Sequence, residues 1–308
     1  MKIAIMGSGG VGGYFGAKLA LAGNDVTFIA RGAHLDAIRA NGLRVTTDTG
    51  EMTVNPAKAT DDPATIGPVD VVLFTTKLYD TTEAAESLKP VMGPETFVVT
   101  VQNGVSGADL IGDVLGRDRV LAGSTYIISH LEAPGLIHHM GQFQRIVFGE
   151  VDGTLSERGK AFATTCADAG IDVDFSDKVL TTMWEKFIPL TVMSGMTALT
   201  RMPIGPILSD PELSAMVDAA VAEAVAVGRA QGVPLHEKAA DRVQKTVRAA
   251  PYDTKSSMLV DLERGKKMEL PWLSATVAKM GGELGVPTPT HAFIAAALKL
   301  HAGGTARP

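Results

Sequence analysis

Ile3-Ala4-Ile5-Met6-Gly7-Ser8-Gly9-Gly10-Val11-Gly12 sets the reading of the whole chain. The apolar run from Ile3 to Met6 is a short strand, and a glycine turn follows it directly. Gly7, Gly9 and Gly12 stand in the dinucleotide-binding spacing. The first permits a tight turn, the second lets backbone approach a pyrophosphate, and the third lets the next helix pack close to the sheet. That helix is expected from Val11 to Ala22, stopped by Gly23. A bare glycine motif also fits a plain turn. Here it follows a strand and opens a helix, so Gly7, Ser8, Gly9, Gly10, Val11 and Gly12 are the expected phosphate cradle at a helix N-terminus.

Outward from this loop, strand-like runs alternate with helical stretches: Val26 to Ala30, Val69 to Phe74, Phe97 to Val101, Val120 to Ile128 and Ile146 to Phe148. Continuous apolar runs suit strands buried on both faces, which predicts an α/β domain with a mostly parallel, doubly wound sheet. After Phe175 the strand signal ends and apolar residues recur at helical spacing. Helices are expected over Val179 to Thr200, Glu212 to Gln231, His236 to Ala250, Thr254 to Gly265, Leu270 to Leu284 and His291 to His301. The division is therefore residues 1–174 for cofactor binding and 175–308 for an all-helical substrate or dimerisation domain, with Gly303 to Pro308 as a frayed tail.

The length of 308 residues fits two domains at roughly 150 residues each. A net charge of -6, from 28 basic and 34 acidic residues, argues against nucleic acid as a partner. No stretch approaches the length of a membrane span, and the N-terminal apolar run is too short for a signal peptide. With a single cysteine, Cys166, read as a small buried hydrophobe, the expected setting is the reducing cytoplasm. The adjacent His138-His139 lack further ligands at matched spacing, so no metal site is expected and the pair is read as surface or hinge. Ser124-Thr125 and Ser129-His130 lack a nucleophile elbow, which leaves hydrolysis unsupported.

The residue after the second strand separates the two nicotinamide cofactors, because an acid there binds the adenosine ribose and repels a 2′-phosphate. This chain has Arg31 at that point, while Asp25 sits at the opposite end of the strand. A guanidinium suits the phosphate of NADP in charge and geometry, so NADPH/NADP is the expected cofactor.

These features, with Thr75-Thr76-Lys77, Gln102-Asn103-Gly104-Val105, Trp184-Glu185-Lys186-Phe187, Thr197-Ala198-Leu199, Ser256-Ser257-Met258, Glu269 and Gly285-Val286-Pro287-Thr288-Pro289, resemble the ketopantoate reductases over nearly the whole length. The resemblance implies a Rossmann-type domain joined to a helical one. It also implies NADPH-dependent reduction of 2-dehydropantoate to (R)-pantoate in pantothenate biosynthesis. Lys186 would be the catalytic acid, Glu269 and Ser257 would lie in the closed site, and Lys77 and Asn103 would line the nicotinamide side. The chemistry of the residues agrees, since hydride delivery leaves charge on a ketone oxygen that a positioned ammonium can stabilise and protonate.

The chain departs from the family pattern where that pattern has asparagines on the substrate. Leu190 and Ser194 stand four and eight residues after Lys186, Thr254 stands before the Ser-Ser-Met motif, and Ser274 follows Glu269. Leu190 and Ser194 are thus the expected substrate-facing positions. Met183, Met193, Met196 and Met202 are either core filler or an adaptable pocket. The alternative to ketopantoate is another 2-oxo acid, an apolar ketone or an imine, and a different class of alternative is a non-catalytic NADP-binding sensor. The partner is a small carbonyl compound, and the apolar helical domain is compatible with a homodimer.

Overall fold

The computed structural model describes residues 1–304. Two compact units divide the chain, Met1–Val179 and Leu180–Pro308. The first contains β1 (Lys2–Met6), α1 (Gly10–Leu21), β2 (Asp25–Ile29), α2 (Gly32–Asn41), β3 (Leu43–Thr47), β4 (Gly50–Val54) and β5 (Lys58–Thr60). It continues through β6 (Val69–Phe74), α3 (Thr81–Ser87), β7 (Met92–Thr100), α4 (Gly107–Leu115), β8 (Val120–Ala133), β9 (Leu136–Glu150), α5 (Glu157–Asp168) and β10 (Asp172–Phe175). Among the described residues the strands form one sheet in the order β4-β3-β9-β8-β7-β6-β1-β2-β5, with β10 added on β9. Among the described residues only β3–β4 and β8–β9 are antiparallel pairings.

Within this sheet β5-β2-β1-β6-β7-β8 is the doubly wound dinucleotide-binding order, once the β3–β4 hairpin is set aside. β1 shows why it is buried on both faces. Ile3 and Ile5 join Phe15, Leu35 and Phe162 in one core, while Ala4 and Met6 join Ala84, Ala85 and Ile111 in the other. Four strands depart from the expectation. β3, β4, β5 and β10 were not legible as apolar runs because they alternate: in β3, Leu43 and Val45 are fully buried and Arg44 is exposed. β9 extends well beyond Ile146 to Phe148, since its first half carries His138, His139 and Gln142.

The second unit is helical: α6 (Val179–Thr200), α7 (Ile204–Ser209), α8 (Pro211–Ala230), α9 (Ala239–Arg248), α10 (Ser257–Glu263), α11 (Ser274–Leu284) and α12 (Pro289–Leu298). α7 was not among the expected helices; it falls in the stretch left between Thr200 and Glu212. Pro206 falls in the first turn, where amides have no partner within the helix. The last strand and the turn after it carry the unit boundary to Val179, past the expected residue 174. Gly304 donates to the His301 carbonyl in a turn, so the expected fraying does not begin at Gly303; residues 305–308 lie outside the described residues.

α8 and α12 are pinned by charge at a helix end. The Glu223 carboxylate accepts from the amides of Thr290 and His291 at 2.9 and 3.0 Å, in the first turn of α12. His291, fully buried, donates Nε2 to the Ala220 carbonyl at 3.0 Å, and burial pushes its pKa down so the ring stays neutral. Glu223→Ala strands both amides, and the expected loss is about 1–3 kcal/mol of unfolding free energy, measured by urea denaturation.

Candidate functional site

Parallel register fixes what lies at one edge of the first unit's sheet. Met6 is opposite both Ile29 and Phe74, and Phe74 is opposite Thr100. Four neighbouring strands therefore end together, and the glycine loop, Arg31, Lys77 and Asn103 all follow those ends. In a doubly wound sheet this carboxyl edge, at the β1/β6 reversal of strand order, is where ligands bind.

Gly7 has φ +91°, and a Cβ there would lie 2.9 Å from the amide of Thr76. Gly12 is confined more tightly. A Cβ would come within 2.3 Å of the Gly7 carbonyl and of Thr75 Oγ1. Thr75 Oγ1 donates to that same carbonyl at 2.6 Å, tying the loop to the end of β6. Gly9 differs from both, since a Cβ there would meet nothing within 4 Å. Gly9 is also the N-cap of α1 and offers no side chain to the first-turn amides. Open space beside uncapped amides fits a pyrophosphate. A cleft of about 220 Å³ is lined here by Gly7, Gly9, Arg31, His34, Thr76 and Glu83, among others.

The remaining loop residues brace the site. Ser8 lines the cleft, but its amide and hydroxyl both donate to the Ile29 carbonyl, at 3.2 and 3.1 Å. The α-carbon of Gly10 faces the backbone of Ser129 and His130 in β8, and Val11 packs against the core. Arg31, at the N-cap of α2, reaches Glu83 at 3.2 Å with both side chains well exposed. An exposed pair of this kind holds the guanidinium weakly, so a phosphate can replace the carboxylate. Lys77 is exposed shortly after β6, and Asn103 is half-buried before Gly104, whose φ of +84° turns the chain.

Two residues here were given no role from sequence. Gln102 is buried, accepts from Thr100 Oγ1 at 3.0 Å, and donates to Thr81 Oγ1 and the Thr76 carbonyl at 2.8 and 2.9 Å, joining the loops after β6 and β7. A glutamine at the end of a continuous apolar strand was its only signal. His34 had none.

In the second unit Lys186 lies on α6 between the buried Trp184 and Phe187. The residue is half-buried, and desolvation brings its pKa down to about 8, while the negative charge of Glu269 acts in the opposite sense. Glu269 is only 6% exposed, flanked by the buried Met268 and Leu270, although Lys266 and Lys267 just before it are exposed. The two expected catalytic residues are thus brought into electrostatic contact. Pro189 falls inside α6 and has no N–H for the Glu185 carbonyl, which loses its helical partner one residue from Lys186.

The expected substrate positions separate. Leu190, one turn from Lys186, is half-buried, but Ser194 is fully buried with its hydroxyl unpartnered, as is Ser274. Thr254 is half-buried. Ser257 is exposed at the first position of α10; the capping hydroxyl is that of Ser256, which accepts from Leu259 N at 3.1 Å and meets Thr197 Oγ1 at 2.6 Å. Met183 and Met196 are core filler, Met193 is half-buried and Met202 is exposed. His139 is 3% exposed against Tyr14 and its Nε2 donates to the Phe143 carbonyl, so of the two expected roles, surface or hinge, it does not fill the first. Cys166 is buried, with its thiol pushed up to about 12. No helix among the described residues is long and apolar enough to cross a membrane.

Comparison with known proteins agrees with this fold. Residues 3–153 match the family model of ketopantoate reductase PanE/ApbA, and residues 178–302 match that of its C-terminal domain. A 2-dehydropantoate 2-reductase of Mesorhizobium japonicum is 35% identical, with 94% of each chain covered. One from Archaeoglobus fulgidus is 31% identical over 92% of each. The crystal structure of a PanE/ApbA family ketopantoate reductase from Ralstonia eutropha superposes with a TM-score of 0.90 at 33% identity, covering 98% of both chains. A D-mandelate dehydrogenase with NADH and anilino(oxo)acetate, at 20% identity and a TM-score of 0.87, shares the fold.

Because Glu269 holds the lysine pKa up against desolvation, Glu269→Gln is expected to move Lys186 below about 8. Titration of the lysine side chain by NMR in the free protein checks the direction.

Proposed function

The chain belongs to the ketopantoate reductase family and is an oxidoreductase acting on a CH–OH/C=O pair with a nicotinamide cofactor; we propose that it uses NADPH to reduce a 2-oxo acid, with Lys186 as the proton donor. The observation that carries this reading is the desolvated Lys186 beside Glu269, whose pKa of about 8 lets it hold a proton at neutral pH and still release it. When bound, the nicotinamide cofactor would supply the hydride that the carbonyl carbon takes up. As the C=O π electrons move to oxygen, the Lys186 ammonium stabilises the developing charge and passes it a proton, leaving a neutral amine that water reprotonates. Glu269 keeps that amine basic enough to recover the proton. The amides at the start of α1 hold the pyrophosphate, Arg31 takes the 2′-phosphate in place of Glu83, and Lys77 and Asn103 contact the nicotinamide half.

The substrate closest to the family is 2-dehydropantoate, giving (R)-pantoate. One observation favours a second reading within the same chemistry. Of the two expected substrate positions on α6, Leu190 keeps some exposure, while the hydroxyl of Ser194, like that of Ser274, is sealed in the helical core. A leucine gives a substrate hydroxyl nothing to bond, and a site without such a partner discriminates little in its favour. This supports a 2-oxo acid with a more apolar side chain.

NADPH oxidation assayed with 2-dehydropantoate and a panel of apolar 2-oxo acids separates the two readings through kcat/KM. Lys186→Ala is expected to lower kcat on the best of them by roughly 10²–10⁴-fold. Wild-type reduction is expected to fall as pH rises through about 8, because the donor must be protonated, and the reverse oxidation is expected to rise over the same range. Unchanged turnover in the alanine variant would refute the role of Lys186. For the cofactor, Arg31→Ala is expected to raise the Kd for NADPH about tenfold and that for NADH at most about twofold, by fluorescence titration.

A further inference from the structure

α2 brings two polar side chains to the cofactor cleft, Arg31 at its cap and His34 in its first turn. His34 is committed at both ring nitrogens. Nδ1 lies 2.9 Å from the amide of Gly135, and Nε2 lies 2.7 Å from the carbonyl of Ser8. An amide only donates and a carbonyl only accepts, so the ring is neutral with its proton on Nε2. A single side chain thereby joins the glycine loop, α2 and the β8–β9 turn.

Each end of this link is itself held. Gly135 has φ +75° at the turn, and its carbonyl accepts from the amide of Arg44 at 2.9 Å where β3 begins. The Ser8 amide and hydroxyl are both given to the Ile29 carbonyl, and its own carbonyl is taken by His34. The Ser8 peptide precedes Gly9 and the uncapped amides of α1, whereas Arg31 sits one helical turn from His34. The two ends of a dinucleotide, pyrophosphate and adenosine phosphate, are read by these two segments in the cofactor assignment above, on which the inference rests.

We propose that His34 is a positioning residue for the cofactor: it fixes the glycine loop against the first turn of α2, and so fixes the separation between the pyrophosphate cradle and Arg31. Its loss disturbs recognition of the 2′-phosphate more than recognition of the shared pyrophosphate. A residue that only supports the fold would affect NADPH and NADH alike.

The test is binding of NADPH and NADH to the full-length chain by fluorescence titration, for wild type, H34F, H34N, H34Q and R31A, with thermal melts alongside. H34F keeps an aromatic ring and removes both hydrogen bonds. The expected result is a rise of about tenfold in Kd for NADPH and at most about threefold for NADH, on the scale of one to two lost hydrogen bonds. H34N can still accept from Gly135 but falls short of Ser8, and is expected to shift in the same direction even if H34F does not fold. H34Q, with a donor and an acceptor at longer reach, is expected to restore NADPH binding to within about threefold of wild type. Equal changes for the two cofactors, or none in H34F and H34N, would overturn the proposal. R31A separates this from a failure of the cofactor assignment: if R31A leaves the NADPH to NADH ratio unchanged, Arg31 does not read the phosphate and both ideas fall. If R31A shifts the ratio and the His34 variants do not, only the role of His34 falls.

Discussion

The missing side chain at Gly12 is the constraint on which the cofactor half of the protein rests. Only without a Cβ can α1 approach closely enough for the Gly7 carbonyl to receive Thr75 Oγ1 at 2.6 Å. That bond ties the loop after β1 to the loop after β6. Gln102 carries the same brace on to the loop after β7, and Ser8 and His34 carry it to the end of β2 and to α2. The open space beside Gly9 is useful because everything around it is fixed. Preorganised amides lose little freedom when an anion arrives.

The proposed proton donor depends on a balance of a different kind. Burial alone would leave the Lys186 amine a weaker base, and a closely paired ammonium would release its proton more reluctantly. Desolvation lowers the pKa and the Glu269 carboxylate opposes it, with an outcome of about 8. Burying Glu269 between Met268 and Leu270 is the cost of placing that counter-charge out of water's screening.

Much of this was legible in the sequence because the decisive signals were local. The loop from Gly7 to Gly12 declared itself by spacing, β1 and β6 by uninterrupted apolar runs, and α6 by its periodicity and endpoints. What was hidden depends on partners far along the chain. β3 and β4 alternate apolar with charged residues and become strands only because β9 pairs with β3. Ser194 resembled a substrate contact by its interval from Lys186, but tertiary packing seals it in the core. His34 and Gln102 act through backbone groups of other segments, which no spacing rule records.

The place of the β3–β4 hairpin has a consequence for how the chain is made. Arg44 lies beside Leu136, and β9 in turn needs β8 on one side and β10 beside its second half. During synthesis the hairpin emerges with its sheet neighbour still some ninety residues from being translated, and the last strand follows later still. The glycine loop and His34 are made well before most of their sheet, and the Gly135 amide that the His34 link requires comes more than a hundred residues after His34. Pairings over such separations close slowly. The His34 link beside the glycine loop therefore cannot close until β8 and the turn after it have been made.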